Sequence, residues 1–192
     1  MLVEGAIAEL ARTEVLCMVL RQPAGPVSEG YFEILGEFWL VEKDGAPVRQ
    51  QALYRQMEED NGMTVFIHPQ METFVRQCYD RLALPRQLRS AVYEGEGRSA
   101  DSLLSSRLNR LQSMATLSLL VVGDDILDNL KGHVKALRKE GIKNICFELD
   151  MGKGEGVQLV PELLAAGFVP QLVVPWGAPC GDAAVFMHAG GE

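Results

Sequence analysis

The sequence predicts an α/β (α+β) protein whose C-terminal half forms a strand–helix–strand–helix–strand–strand unit, and three observations point there. Thr116 to Val122 (TLSLLVV) and Asn144 to Leu149 (NICFEL) are short β-rich runs, apolar enough to be buried strands. Between them Ile126, Leu130, Val134 and Leu137 recur at helical spacing, and Gly141 supplies a stop. Beyond them a second helical stretch, about Val157 to Ala166, ends at Gly167 and precedes strands at Val169 to Val174 and Asp182 to His188. Helical connections of this length imply parallel pairing of the strands they join, whereas the turn Pro175 to Gly181 permits an antiparallel hairpin.

The earlier elements are read in chain order. Leu2 to Leu10 reads as a short helix, and Thr13 to Leu20 as a strand broken at Gln22-Pro23-Ala24-Gly25-Pro26. Phe32 to Val41 is apolar and extended, and Pro47 to Asp60 is polar enough to read as a linker with some helix in it. Met63 to Ile67 is a short strand, ended by His68-Pro69 at a helix start. Met71, Phe74, Val75, Cys78, Tyr79 and Leu82 form that helix's apolar stripe, which stops before Pro85. Arg86 to Ser99 reads as loop, with Gly95 and Gly97, and Leu103 to Leu111 as a strand in a hairpin with the run from Thr116.

Composition narrows the partners. The chain has 192 residues, 47% of them hydrophobic and 23% charged, which suits one α/β domain or two small packed halves. No stretch approaches the ~20 apolar residues of a membrane helix. The start, Met1 to Ala11, carries Glu4 and Glu9 and lacks the basic opening of a signal peptide, so a cytoplasmic location is expected. A net charge of −8 disfavours nucleic acid and anionic membranes, though a local pocket can oppose the global sign. Arg76, Arg81, Arg86 and Arg89 interleave with Glu72, Asp80 and Glu94 as on a solvated face. Cys17, Cys78 and Cys146 sit within apolar patterns, Cys180 falls in a turn, and the histidines lack ligand spacing. Neither a metal site nor a disulfide framework is expected, and a homodimer is compatible with the sequence.

Ala166-Gly167-Phe168, closing the second helix before a strand, together with the element order, resembles the GNAT-type acyl-CoA N-acyltransferases. The runs Val3 to Leu20, His68 to Arg86 and Leu163 to His188 resemble the diverged second half of bacterial tandem GNAT-like proteins. The resemblance implies a GNAT-like mixed sheet with helices on both faces. It divides the chain into an N-terminal segment, residues 1–60, resembling the end of an upstream half, and a GNAT-like domain, residues 61–192. It also implies that the chain starts too late to include a complete first domain.

The chemistry that the resemblance implies is then tested against the residues. Members hold the diphosphate of acetyl-CoA or another acyl-CoA on backbone N–H groups of a Q/R-x-x-G-x-G/A turn before a helix. Here that junction is Gly123-Asp124-Asp125-Ile126-Leu127-Asp128, whose three carboxylates repel phosphate and read instead as a helix cap at Asp124 or Asp125. Gln22 to Val27 matches the turn only in part, and its prolines remove amide donors. The tyrosine that protonates the leaving thiolate in many members corresponds to Leu163, which has no proton to give.

Glu148 is the candidate catalytic base, ahead of His133 and His188. Val121, Val122, Gly152, Lys153 and Gly154 are the candidate cofactor-binding residues, the last three from the glycine-rich run Gly152 to Gly156. Three readings stay open: a catalytically degenerate protein acting by ligand binding or self-association, an active acetyl-CoA-dependent N-acyltransferase, and a Rossmann-like phosphate- or nucleotide-binding module.

Overall fold

The computed structural model of the chain describes residues 5, 7–9, 15–25, 31–91 and 98–189. Its sheets have three, five and two strands. The three-stranded sheet is β1 (Cys17–Pro23), β2 (Glu33–Val41) and β3 (Pro47–Gln56), ordered β1-β3-β2 and antiparallel throughout. β4 (Met63–Ile67) and β5 (Arg86–Ser90) pair in parallel, joined by a 3₁₀ turn (Pro69–Met71) and α1 (Glu72–Leu82). The five-stranded sheet contains β6 (Leu103–Asn109), β7 (Met114–Val121), β8 (Asn144–Asp150), β9 (Phe168–Ala178) and β10 (Gly181–His188). α2 (Ile126–Lys139) crosses from β7 to β8, and α3 (Gly154–Val157) and α4 (Val160–Ala165) lie between β8 and β9.

The five strands run in the order β6-β7-β8-β10-β9. β7 and β8 are parallel, as the long α2 crossover requires, and the other three pairings are antiparallel. β9 is not the parallel neighbour of β8 that the helical connection implied. The β9–β10 hairpin folds back so that β10 enters between them, satisfying both edges of β10 and both faces of its apolar run. Ala183, Ala184, Val185 and Phe186 are all buried, and since neighbouring side chains point to opposite faces, the sheet is covered on both sides there.

The helices follow their stripes. Met71, Val75, Cys78 and Tyr79 are buried beneath α1, and Ile126, Leu130 and Leu137 beneath α2. Phe74, Leu82 and Val134 pack half-buried against the same core. α1 packs on β2 and β9, and α4 packs on β9 and against α2. The predicted hairpin of Leu103 with the next strand is β6–β7.

Four expectations need correction. Pro47 to Asp60 is no linker: β3 is the middle strand of its sheet, with Gln51, Ala52, Leu53 and Tyr54 all buried. Its polar residues hide a strand that neighbours on both edges enforce, and Gln51 is reconciled to burial by donating to Gly25 O at 3.1 Å. Arg86 to Ser90 is strand rather than loop, because the edge of β4 pairs it. The helix expected over Val157 to Ala166 is split into α3 and α4 at Gln158-Leu159, where Pro161 demands a new first turn. The glycine-rich run is not wholly loop, since Gly154 to Gly156 belong to α3.

Of Leu2 to Leu10, Gly5 and Ile7 to Glu9 are helical, while the remaining residues, like Thr13, Glu14, Glu94, Gly95 and Gly97, lie outside the described residues. The break expected at Pro23 comes later, because β1 runs through it along the sheet edge. No helix among the described residues is long and apolar enough to cross a membrane.

A buried charge cluster joins the sheets. The Arg86 guanidinium, wholly buried, donates to Asp182 Oδ2 at 2.7 Å and to Asp60 Oδ1 at 2.9 Å. Burial alone would lower its pKa, but hydrogen bonds and charge from Asp182 and then Asp60 raise it overall. The cation lies 5.4 Å from the Trp176 ring centre and 5.9 Å from that of Tyr79. Trp176 has φ +55°, uncommon for so bulky a residue, and its backbone N–H donates to Asp182 Oδ1 at 2.8 Å. Around the charges stand Cys17 and Tyr54. Burial, reinforced by Cys17 and Asp60, pushes the Tyr54 phenol up to about 12, and burial beside Asp182 raises Tyr79 further.

Arg86→Met leaves two buried carboxylates without their counter-ion and should destabilise the fold by about 3–5 kcal/mol in urea denaturation. Arg76→Met, breaking only the exposed pair with Glu72, should cost under about 0.5 kcal/mol. The Tyr54 and Tyr79 phenols stabilise the fold while protonated below the unfolded value of about 10, and lose that contribution as pH rises above it. An alkaline absorbance titration should show these two ionising only as the near-ultraviolet circular dichroism collapses.

Candidate functional site: an open seam between two strands

β7 and β8 pair from Met114↔Asn144 to Ser118↔Glu148, and then part. β7 continues through Leu119, Leu120 and Val121, and β8 through Leu149 and Asp150, with no pairing between those ends. The cause is visible on the other edge of β7. There Leu104 pairs with Leu119 and Leu103 with Val121, so Leu120 is an extra residue in a bulge. A bulge bends and twists its strand, and the pairing with β8 ends at Ser118, just before this one.

A cleft of about 1050 Å³ opens over the parted ends. Its floor is Ser118 to Val122 and Glu148 to Asp150, and one flank is Lys153 to Gly156 with Phe66. A second flank is Gly177-Ala178-Pro179, next to Trp176 and so to the Arg86 cluster. Leu120 is 66% exposed, an uncommon state for an apolar residue in an inner strand. Gly152 lets the β8 end approach the β9–β10 turn, because a Cβ there would come within 2.1 Å of Cys180 O. Asp150 holds the same junction by accepting from Gly152 N at 2.9 Å and Cys180 N at 3.2 Å.

Several residues expected at a site meet here. Val121, Val122, Lys153 and Gly154 line the cleft, whereas Gly152 lies behind it against Cys180. Glu148 lines it at the last paired position, with its carboxylate held by Arg107 at 2.9 Å. Arg107 is largely exposed, so the pair is worth at most about 1 kcal/mol and can open to a ligand. His133 instead sits on α2 with Nδ1 at 3.0 Å from Asn129 O. His188 stacks edge-on against Phe168, its pKa lowered by burial and by Arg138. Leu163 is fully buried in the core. The reading of residues missed Phe66, Arg98, Arg107 and the 177–179 turn; only the fold brings them to the seam.

The β7–α2 turn, where the GNAT resemblance would place an acyl-CoA diphosphate, is covered by the chain itself. Asp124 N donates to Ser99 O at 2.9 Å, and Ser102 N donates to Asp125 Oδ1 at 2.6 Å. Asn129 Nδ2 donates to Ser102 O at 2.9 Å and to Ser102 Oγ at 2.8 Å. The contact is so close that a Cβ on Gly123 would fall 2.3 Å from the Asp101–Ser102 peptide. A side-chain cap on α2 was expected from Asp124 or Asp125, and the residue at the helix start is Asp125. It stands at the cap position, but its carboxylate is turned to Ser102, whose hydrogen bonds hold its pKa below the usual aspartate range. These residues do not fit a diphosphate: one turn amide is already bonded, and Asp124, Asp125 and Asp128 bring negative charge.

No group of three or more His, Cys, Asp and Glu residues suited to a metal ion occurs among the described residues. No protein-family model, curated protein or solved structure matches the chain.

Asp125→Ala should free the Ser99–Ser102 segment, read as faster hydrogen exchange at the Ser102 amide with the α2 amides from Leu130 onward unchanged. In the unaltered protein the latch belongs to the ionised carboxylate. Its contribution is present above the unfolded aspartate value and is lost as pH falls through the lower folded value. Acid should therefore reproduce the exchange pattern of Asp125→Ala.

Proposed function

We propose that the chain is a catalytically degenerate protein on a GNAT-like scaffold, acting by binding a ligand in the β7–β8 cleft or by self-association. The observation that carries this reading is the covered β7–α2 turn, where Ser99 accepts from one turn amide and the Asp101–Ser102 peptide occupies the space of a diphosphate site. Three features favour the scaffold. β7 and β8 are parallel around α2, they splay past Ser118, and β10 is inserted between β8 and β9. The element order along the chain from β7 to β10, with Ala166-Gly167-Phe168 leading into β9, is the one that carries the resemblance. Loss of chemistry is further supported by Leu163 in the core and by Glu148 in an ion pair.

The active N-acyltransferase is the second reading, and the splay favours it, because such an opening admits a pantetheine arm beside Val121. The phosphate-binding alternative draws only on Lys153, since Gly154 and Gly156 are taken up in α3.

Acetyl-CoA titrated into the protein by calorimetry should give no micromolar binding, and a panel of primary amines should receive no acetyl group from it. Micromolar binding with turnover would overturn the proposal in favour of the active enzyme. If acetyl-CoA does bind, loss of the heat in Lys153→Ala would put the ligand at the glycine-rich run.

A further inference from the structure

We infer that the seam takes an uncharged, extended peptide segment, added as a short strand along the free edge of β7. The inference rests on the non-catalytic reading above and names the ligand class of that cleft.

The first argument is hydrogen bonding. A strand inside a sheet ordinarily has both edges paired, but from Leu119 to Val121 the β8-facing edge of β7 has no strand partner among the described residues. Among the described residues the facing edge of β8 at Leu149 and Asp150 has no strand partner either, its other edge being taken by Ala184 and Ala183. Backbone donors and acceptors left this way form a template for an added strand. The free stretch of three residues matches about 10 Å of extended chain.

The second argument is charge. The described cleft lining carries Arg98, Arg107 and Lys153 against Glu148, Asp150 and Glu155, and so balances to zero. Arg107 is bound to Glu148, Arg98 lies 3.5 Å from Glu162, and Asp150 is engaged by two backbone N–H groups. A neutral cleft on a chain of net charge −8 offers nothing to a polyanion. With the β7–α2 turn closed by Ser99 to Ser102, a nucleotide diphosphate has no seat at the open end. An amide chain needs none.

The third argument is the wall. Leu120 and Val121 expose apolar surface on the very residues whose edge is free, which gives an added strand side-chain contact beside its main-chain bonds.

The test is amide NMR on the isotopically labelled full-length chain, titrated with acetyl-Ala-Val-Ala-amide. Saturable shifts are expected at Leu119, Leu120, Val121 and Leu149, and none at the far-side residues Arg138 and His188. The same tripeptide methylated on its central amide nitrogens keeps its side chains but loses donors, and should bind about five- to tenfold more weakly. Equal binding of the methylated peptide would overturn strand addition, as would unmoved seam amides at millimolar tripeptide. Pantetheine moving those amides while the tripeptide does not would also overturn it, yet would leave the non-catalytic reading intact. Acetyl transfer, by contrast, would sink that reading itself.

Discussion

The buried triad of Arg86, Asp182 and Asp60 is the constraint on which the rest of the structure depends. Removing three charges from water costs several kcal/mol per ion, recovered only where geometry is good and the remaining polar atoms are bonded. Here the geometry is two-sided: Asp182 meets Nε and Asp60 meets a terminal nitrogen of the same guanidinium. The partners come from the start of β5, the start of β10 and the segment before β4, so the triad fixes three separate parts of the chain at one point. Two carboxylates against one cation leave a formal excess of negative charge. That excess explains why the neighbouring Cys17, Tyr54 and Tyr79 protons are all held more tightly than usual, after the larger effect of burial.

The triad also shapes the cleft. Asp182 spends one oxygen on the Trp176 amide, and the Arg86 guanidinium lies over the indole. Together they hold a tryptophan at positive φ within the irregular stretch where β9 and β10 change register. Gly177, Ala178 and Pro179 follow directly and form a wall of the cleft. One flank of the seam is thus set by buried electrostatics, and the floor by the bulge at Leu120. The two devices come from different edges of the sheet.

What could be read from the sequence follows the strength of local signals. The β7–α2–β8 unit was legible because its strands are nearly all apolar and its helix carries an uninterrupted stripe. β3 was illegible because Arg49, Gln50, Gln51, Arg55 and Gln56 mask it, and its burial is imposed by two partner strands. β5 was missed likewise, since Arg86, Gln87 and Arg89 read as solvated while the Arg86 side chain is in fact wholly buried between two carboxylates. At the candidate site, Val121, Val122, Lys153 and Gly154 were within reach of pattern reasoning. The bulge and the covering of the turn by Ser99 to Ser102 were not, because both arise from pairing between segments that no sequence window contains.

The cover over the β7–α2 turn and the opening beside it have opposite energetic signs. Closing the turn is favourable: Asp124, Asp125 and Asn129 gain four hydrogen bonds with Ser99 and Ser102. Keeping the seam open is unfavourable, since strand edges forgo pairing and Leu120 faces water. Both costs fall at the bulge, where Leu120 is the extra residue of β7. A scaffold settled only by stability would therefore have closed both places. This one has a closed β7–α2 turn and a costly open amide edge, a combination that suits the proposed ligand, held by main-chain bonds rather than by phosphate.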